Sequence, residues 1–239
     1  MKEPEKNTFY DHFGKNRPTE FGNWLVKRTC QQIFDFAQIN EGKIVLEVGP
    51  GRGAFADICL GQGIDYWAIE PNMNMADELQ KRGANIIRNI VPPIPDIGRS
   101  FDVVVMNNVL EHMETMTNAL TVSKQIYELL NPGGRFVIYS PDYVNFGYLF
   151  FLTDFSHNYV TTWKRIEGLL ISAGFDTIRA RYQNALFKRI SCILTSGLAA
   201  WMPFGHLSAL FPNNKTLNKL FRFQIPFMRR ILIYGEKHG

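Results

Sequence analysis

Two hydrophobic periods alternate along the chain. From residue 20 to residue 39, Trp24, Leu25, Arg28, Ile33, Phe34 and Phe36 fall roughly where one face of a helix would place them. The pattern then shortens: Lys43–Val48 is a β-branched apolar run that ends in Gly49-Pro50-Gly51-Arg52-Gly53, and Ala54–Leu60 is helical again. The alternation continues with strands at Tyr66–Ile69, Asn85–Arg88, Phe101–Met106 and Arg135–Tyr139. Helices are predicted at Met73–Arg82 and Thr117–Leu130, with Asn131–Gly134 as a turn before the fifth strand. Thr161–Ala173 predicts a helix stopped by Gly174, Phe175–Tyr182 a sixth strand, and Ile231–Tyr234 a last one.

Strands that alternate with helices pair in parallel through right-handed crossovers. The expected fold is therefore α/β: a Rossmann-like, seven-stranded, mostly parallel sheet with helices on both faces. Residues 183–230 interrupt the alternation and are too few for a second core, so they read as a helical insertion before the last strand. The expected organisation is one domain over 1–239, with an N-terminal helical lid (1–40), a core (41–182), an apolar and basic insertion (183–230) and a last strand (231–235).

Ligands of such sheets bind at the carboxyl ends of the strands. Gly49, Gly51 and Gly53 let the backbone turn tightly and let a ligand approach, although Gly49-x-Gly51-x-x-Ala54 also satisfies a dinucleotide fingerprint. Glu70, about twenty residues on, ends the second strand where a carboxylate can accept from two ribose hydroxyls. A ribose is common to NAD and S-adenosylmethionine, so these residues leave both open.

Three segments carry a resemblance. Val45–Gly53 resembles the first motif of class I S-adenosylmethionine-dependent methyltransferases, Phe101–His112 their fourth-strand motif, and Leu130–Phe136 the turn before strand five. The small-molecule branch typified by ubiquinone-biosynthesis O-methyltransferases is the most similar. This likeness implies S-adenosylmethionine as cofactor, with Glu47 and the three glycines at its methionine end and Glu70 on the ribose. It further implies Pro71 and Asn72 flanking the adenine, Asn89-Ile90 at the adenine amino group, and Asn107 and Asn108 facing the sulfonium. Asn89 stands where the family has an aspartate, and its side-chain carbonyl can still accept.

Methyl transfer from a sulfonium needs alignment and exclusion of water, and calls for no metal. An acceptor hydroxyl must also lose a proton, which requires a base within reach. His157, after the fifth strand, and His112, after the fourth, are the candidates, each with packing as its alternative role. His12, beside Phe9, Tyr10 and Phe13, is placed on the lid; His206 and His238 carry no signal.

Charge changes the picture only at the end of the chain. Residues 179–239 hold 10 of the 26 Lys and Arg but one of the 22 acids, Glu236. The 22 residues Ile190–Phe211 carry no Asp, Glu, Lys or Arg. Gly197, Pro203 and Gly205 argue against a plain transmembrane helix, so a helical pair lying on an anionic membrane surface is expected, with Arg222, Arg229 and Arg230 among Phe221, Phe223 and Phe227 meeting headgroups. A simple roof over the acceptor pocket is the alternative, and nucleic acid is disfavoured.

Cys30, Cys59 and Cys192, odd in number and far apart, offer neither a disulfide framework nor metal-ligand spacing. With no apolar run behind Met1–Lys6, a cytoplasmic location is expected. The functional expectation is methyl transfer to a small-molecule or lipid-linked acceptor, including a glycan, at oxygen. The alternatives are an NAD-dependent oxidoreductase and a cofactor-binding protein without catalysis.

Overall fold

A computed structural model describes residues 19–239; His12 and the rest of residues 1–18 lie outside it. The elements are α1 (Glu20–Ala37), β1 (Ile44–Val48), α2 (Ala54–Gly61), β2 (Asp65–Ile69), α3 (Met73–Lys81), β3 (Asn85–Ile87), β4 (Phe101–Asn107), α4 (Met116–Leu129) and β5 (Leu130–Pro141). Two short helices follow, α5 (Tyr143–Phe146) and α6 (Leu149–Thr153), then α7 (Trp163–Ala173) and β6 (Thr177–Gln183). The insertion forms α8 (Arg189–Trp201), α9 (Phe204–Leu210) and α10 (Lys215–Gln224) before β7 (Arg230–Glu236).

The strands form one sheet in the order β3-β2-β1-β4-β5-β7-β6, and β7 runs antiparallel to both neighbours while the rest are parallel. The central strands β1 and β4 are covered on both faces, which is why their sequences are nearly continuous apolar runs. On one face Val45, Val103, Val105 and Val137 pack with Ile33 and Phe34 of α1, Phe55 of α2 and Leu79 of α3. On the other, Leu46, Val104, Phe136 and Ile138 meet Val122 and Ile126 of α4 and Leu169 and Leu170 of α7. Helix starts are fixed by side chains that accept from their first turns: Thr19, Asn72, Thr115, Thr162 and Asn214.

Two local expectations are corrected. In α1 the buried face is Leu25, Cys30, Ile33, Phe34 and Ala37, whereas Trp24 is half exposed and stacks on Phe21, with Arg28 over its ring. Apolar spacing in this helix marks two stripes, and only one faces the sheet. The Asn131–Gly134 turn belongs to β5, whose ladder opens with Leu130 opposite Phe101 and resumes, after an irregularity, at Val103 opposite Arg135. Its backbone is satisfied by β7's far end, with Gly133 N–H donating to the Lys237 carbonyl (3.0 Å) and Lys237 N–H to that of Gly134 (2.8 Å).

Residues 190–211 form the expected helical pair, α8 and α9, and α10 adds a third helix to the insertion. Asn184 clamps its two ends: its side-chain oxygen accepts from the amides of Leu186 and Phe187, and its nitrogen donates to the Phe227 carbonyl. Buried Gln224 on α10 donates to the carbonyls of Ala199 and Met202 and accepts from Gly205, closing the break between α8 and α9. A small core of Phe146, Leu149, Phe150, Ala199, Phe221 and Met228 then joins the insertion to the segment that follows β5.

Candidate functional site

The carboxyl ends of β3, β2, β1 and β4 are neighbours in the sheet, so one edge gathers most of the residues expected to hold a cofactor. Gly49, Gly51 and Gly53 all have positive φ (+69°, +53° and +77°), a region glycine enters without strain. Their surroundings differ. A Cβ on Gly49 would lie 2.9 Å from Val109 and one on Gly53 2.3 Å from Leu79, whereas one on Gly51 would meet nothing within 4 Å. Gly51 therefore faces open space: a bare backbone cradle of the kind a nucleoside cofactor needs.

Glu70 braces that cradle from the end of β2. One carboxylate oxygen accepts from Gly51 N–H (3.3 Å) and the other from Asn72 N–H (2.8 Å). Burial pushes the carboxyl above its ordinary value, and the two amide bonds oppose this. Half-buried Pro71 follows it, and the Asn72 side chain caps α3 by accepting from Met75 N–H (3.0 Å). Two residues past β3, exposed Asn89 accepts from the amide of half-exposed Ile90 (2.8 Å). Asn107 ends β4; its oxygen accepts from the Asn108 side chain (3.0 Å), and Asn108 takes φ +53° while donating to the Tyr139 carbonyl (2.8 Å).

Glu47 lies deeper. It is buried beneath the loop and accepts a 2.5 Å hydrogen bond from the Tyr66 hydroxyl, and burial lifts its carboxyl to about 8.

A second cluster forms where β4 and β5 end side by side. His112 closes a short helical turn, Leu110–His112, and His157 lies in the loop before α7; their ring centres are 4.9 Å apart. The chain brings together the two histidines that the sequence offered separately, and adds Glu111. That carboxylate is fully buried, receives Ser140 Oγ–H on Oε2 (2.8 Å), and leaves Oε1 without a partner. Burial pushes it up to about 7. One ligand atom from each of Glu111, His112 and His157 lies within 4.8 Å of the others.

Burial holds both imidazoles below their ordinary value and so favours the neutral ring. His157 Nδ1 donates to the Phe150 carbonyl at 2.6 Å. His112 Nδ1 is 2.8 Å from Ser156 Oγ, whose own proton goes to Asp154 (2.6 Å). Sequence reasoning missed Glu111: it stands next to His112, but nothing in the spacing shows a charged residue entering the core.

The basic residues of the insertion divide. Arg222 is exposed, but Arg229 pairs with buried Asp142 at 2.6 Å, and Arg230 stands over the rings of Tyr139 and Phe146. Arg229 and Arg230 are therefore structural, which corrects their expected place among headgroups. They flank the start of β7 and tie it to the end of β5, where a carboxylate and aromatic faces are at hand.

A seven-stranded sheet with a reversed seventh strand, a glycine cradle and a carboxylate at the end of β2 defines a Rossmann-like methyltransferase fold. The chain belongs to the methyltransferase domain family, whose model matches residues 22–219. An uncharacterised methyltransferase of Mycobacterium sp. (strain JLS) is 26% identical over 133 residues, 53% of this chain and 52% of that protein. The chain thus spans about half the length of the curated relatives it matches.

Among solved structures, an S-adenosylmethionine-dependent methyltransferase from Archaeoglobus fulgidus superposes with a TM-score of 0.62 at 18% identity, covering 98% of this chain and 100% of that one. The plantazolicin methyltransferase BpumL, crystallised with S-adenosylhomocysteine, gives 0.59 at 16% identity over 98% and 92% of the two chains. At these identities the likeness is one of fold.

Proposed function

We propose that the protein is a cytoplasmic, membrane-associated enzyme that methylates a hydroxyl oxygen of a small-molecule or lipid-linked acceptor, a glycan lipid included. The observation that carries this is the convergence of Glu111, His112 and His157 at the ends of β4 and β5, beside the strand ends that bear the glycine cradle. A hydroxyl is a poor nucleophile until its proton is drawn off, and neutral imidazoles in a partly dry site suit that task.

In this reading Gly49, Gly51 and Gly53 pass close to the methionine end of the cofactor, with Glu47 below them to meet its ammonium group. Glu70 takes the ribose hydroxyls, Pro71, Asn72, Asn89 and Ile90 border the adenine, and Asn107 and Asn108 line the reacting end. The bound cofactor supplies an electrophilic methyl on a sulfonium. His157 and His112 hold or accept the acceptor's proton, and the insertion brings an apolar acceptor to them. Phe150 supports that last step: it packs in the insertion's core, and its carbonyl orients His157.

The test is transfer of labelled methyl from S-adenosylmethionine into lipid and glycan extracts, followed by mass spectrometry of the product. Once an acceptor is found, His157→Ala should lower turnover on the order of 100-fold with S-adenosylhomocysteine affinity intact. Undiminished turnover removes His157 from the chemistry, and label appearing only on nitrogen or carbon overturns the oxygen assignment.

A further inference from the structure

We propose that Glu111, His112 and His157 bind one divalent cation of the borderline class, such as Zn²⁺ or Co²⁺, at the acceptor end of the methyl-transfer site. The proposal rests on the reading of that cluster as the acceptor end, and it changes what the two histidines do.

The donor set is the first argument. Two imidazoles and a carboxylate are the protein ligands of many three-ligand zinc sites, which keep a further position open for water or substrate. Here the three ligand atoms lie within 4.8 Å of one another. Tetrahedral coordination at metal–ligand bonds of about 2.1 Å would bring them to roughly 3.4 Å apart, so the three side chains would draw together when the ion binds.

Protonation is the second. A carbonyl only accepts, so the Phe150 contact puts the hydrogen of His157 on Nδ1. Ser156 has one hydroxyl hydrogen, and Asp154 receives it; Ser156 Oγ must then accept from His112 Nδ1–H. The Phe150 carbonyl thereby leaves His157 Nε2 as a lone pair, and the Ser156 contact favours the same tautomer for His112. Such outer contacts, a backbone carbonyl on one histidine and a hydroxyl–carboxylate relay on the other, are how metal-binding imidazoles are usually oriented.

The third argument is the orphaned oxygen. Glu111 has no accessible surface, and its Oε1 has no hydrogen-bond partner. A buried acceptor left without a partner loses its hydration and gains nothing in return. Arg230 is close enough to favour the ionised carboxylate, yet it makes no ion pair with Glu111 among the described residues and stands over Tyr139 and Phe146 instead. A cation between Glu111 and the two rings would satisfy the oxygen and use both lone pairs.

A cation there would acidify a coordinated acceptor hydroxyl, so the histidines would be ligands and not the base. A direct binding measurement decides between these roles. Untagged, metal-stripped protein is titrated with Co²⁺, following its visible absorption, while S-adenosylhomocysteine binding is measured on the same samples.

Saturation at one Co²⁺ per chain is expected, weakened at least tenfold by Glu111→Gln and by His157→Asn, with S-adenosylhomocysteine affinity unchanged in both variants. His112→Gln, at a half-buried position, replaces either variant that does not fold. Wild-type protein that shows no saturable Co²⁺ binding, or variants that bind Co²⁺ as tightly as wild type, would overturn the site. Failure of the wild type to bind S-adenosylhomocysteine would instead strike at the methyltransferase reading, so the two failures are told apart.

Discussion

Glu70 shows how far one residue can be read in advance. Its place at the end of a strand, about twenty residues after the glycine turn, follows from the spacing, and the structure sets it against Gly51, where a nucleoside would pass. Hydrogen bonds to a charged acceptor contribute about 1.5–3 kcal/mol each. Glu70→Ala should therefore weaken S-adenosylhomocysteine binding by at least about tenfold, measured by isothermal titration. Glu70→Gln, which keeps one acceptor oxygen, should lose less, and unchanged affinity in folded Glu70→Ala protein would remove Glu70 from the ribose. Glu111 illustrates the opposite case. Its role depends on His157, 46 positions along the chain, and on an orphaned oxygen; both are products of β4 lying beside β5, and no local pattern encodes them.

At the scale of elements, the sequence was most legible where burial on both faces forces continuous apolar runs, as in β1 and β4. It was least legible where backbone partners are remote. The Asn131–Gly134 segment carries turn residues, yet it lies within β5 because Lys237, at the end of the last strand, bonds Gly133 and Gly134. The third helix of the insertion was hidden similarly, since α10 is polar on its exposed side and is held by Gln224 against the α8–α9 break. The glycine loop separates packing from binding. Either Gly51→Ala or Gly53→Ala forces alanine to positive φ, at about 1–2 kcal/mol. Gly53→Ala adds a contact of 2.3 Å with Leu79 and should clearly lower the thermal midpoint. Gly51→Ala should lose only the backbone cost, clearly less than Gly53→Ala, but bind S-adenosylhomocysteine at least tenfold more weakly. If the two variants lose affinity and stability in the same proportion, Gly51 is a turn residue and no more.

For the whole molecule, the question is what the insertion is exposed to. Segment Arg189–Leu210 is apolar and long enough to cross a membrane by composition, yet it breaks at Met202-Pro203 into two helices, and only 22% of its most apolar stretch is buried. On α8 the residues turned outward are Ile190, Ile193, Leu194, Leu198 and Trp201, a stripe at helical spacing, with Trp201 90% exposed; Cys192, Ser196 and Ala199 face inward. A roof over a pocket would turn these large side chains in. The fold instead buries the small residues and leaves the large ones out, which favours an apolar contact beyond the chain, and exposed Phe151, Leu152 and Phe155 precede His157 on the segment against which α9 packs. With Arg229 and Arg230 engaged internally, the exposed cations of the insertion include Arg189, Lys215, Lys219 and Arg222, each worth about 1 kcal/mol near an anionic leaflet. The salt-sensitive part should therefore be modest and the apolar part dominant. Purified protein should sediment with anionic vesicles, less with neutral ones, and stay largely bound through a salt wash that screens charges beyond about 8–10 Å. Leu194→Glu combined with Leu198→Glu should abolish sedimentation and leave S-adenosylhomocysteine affinity unchanged, because neither side chain packs in the core. If wild-type protein remains in the supernatant with both vesicle types, the stripe serves another contact, and a soluble acceptor becomes the better reading of the site.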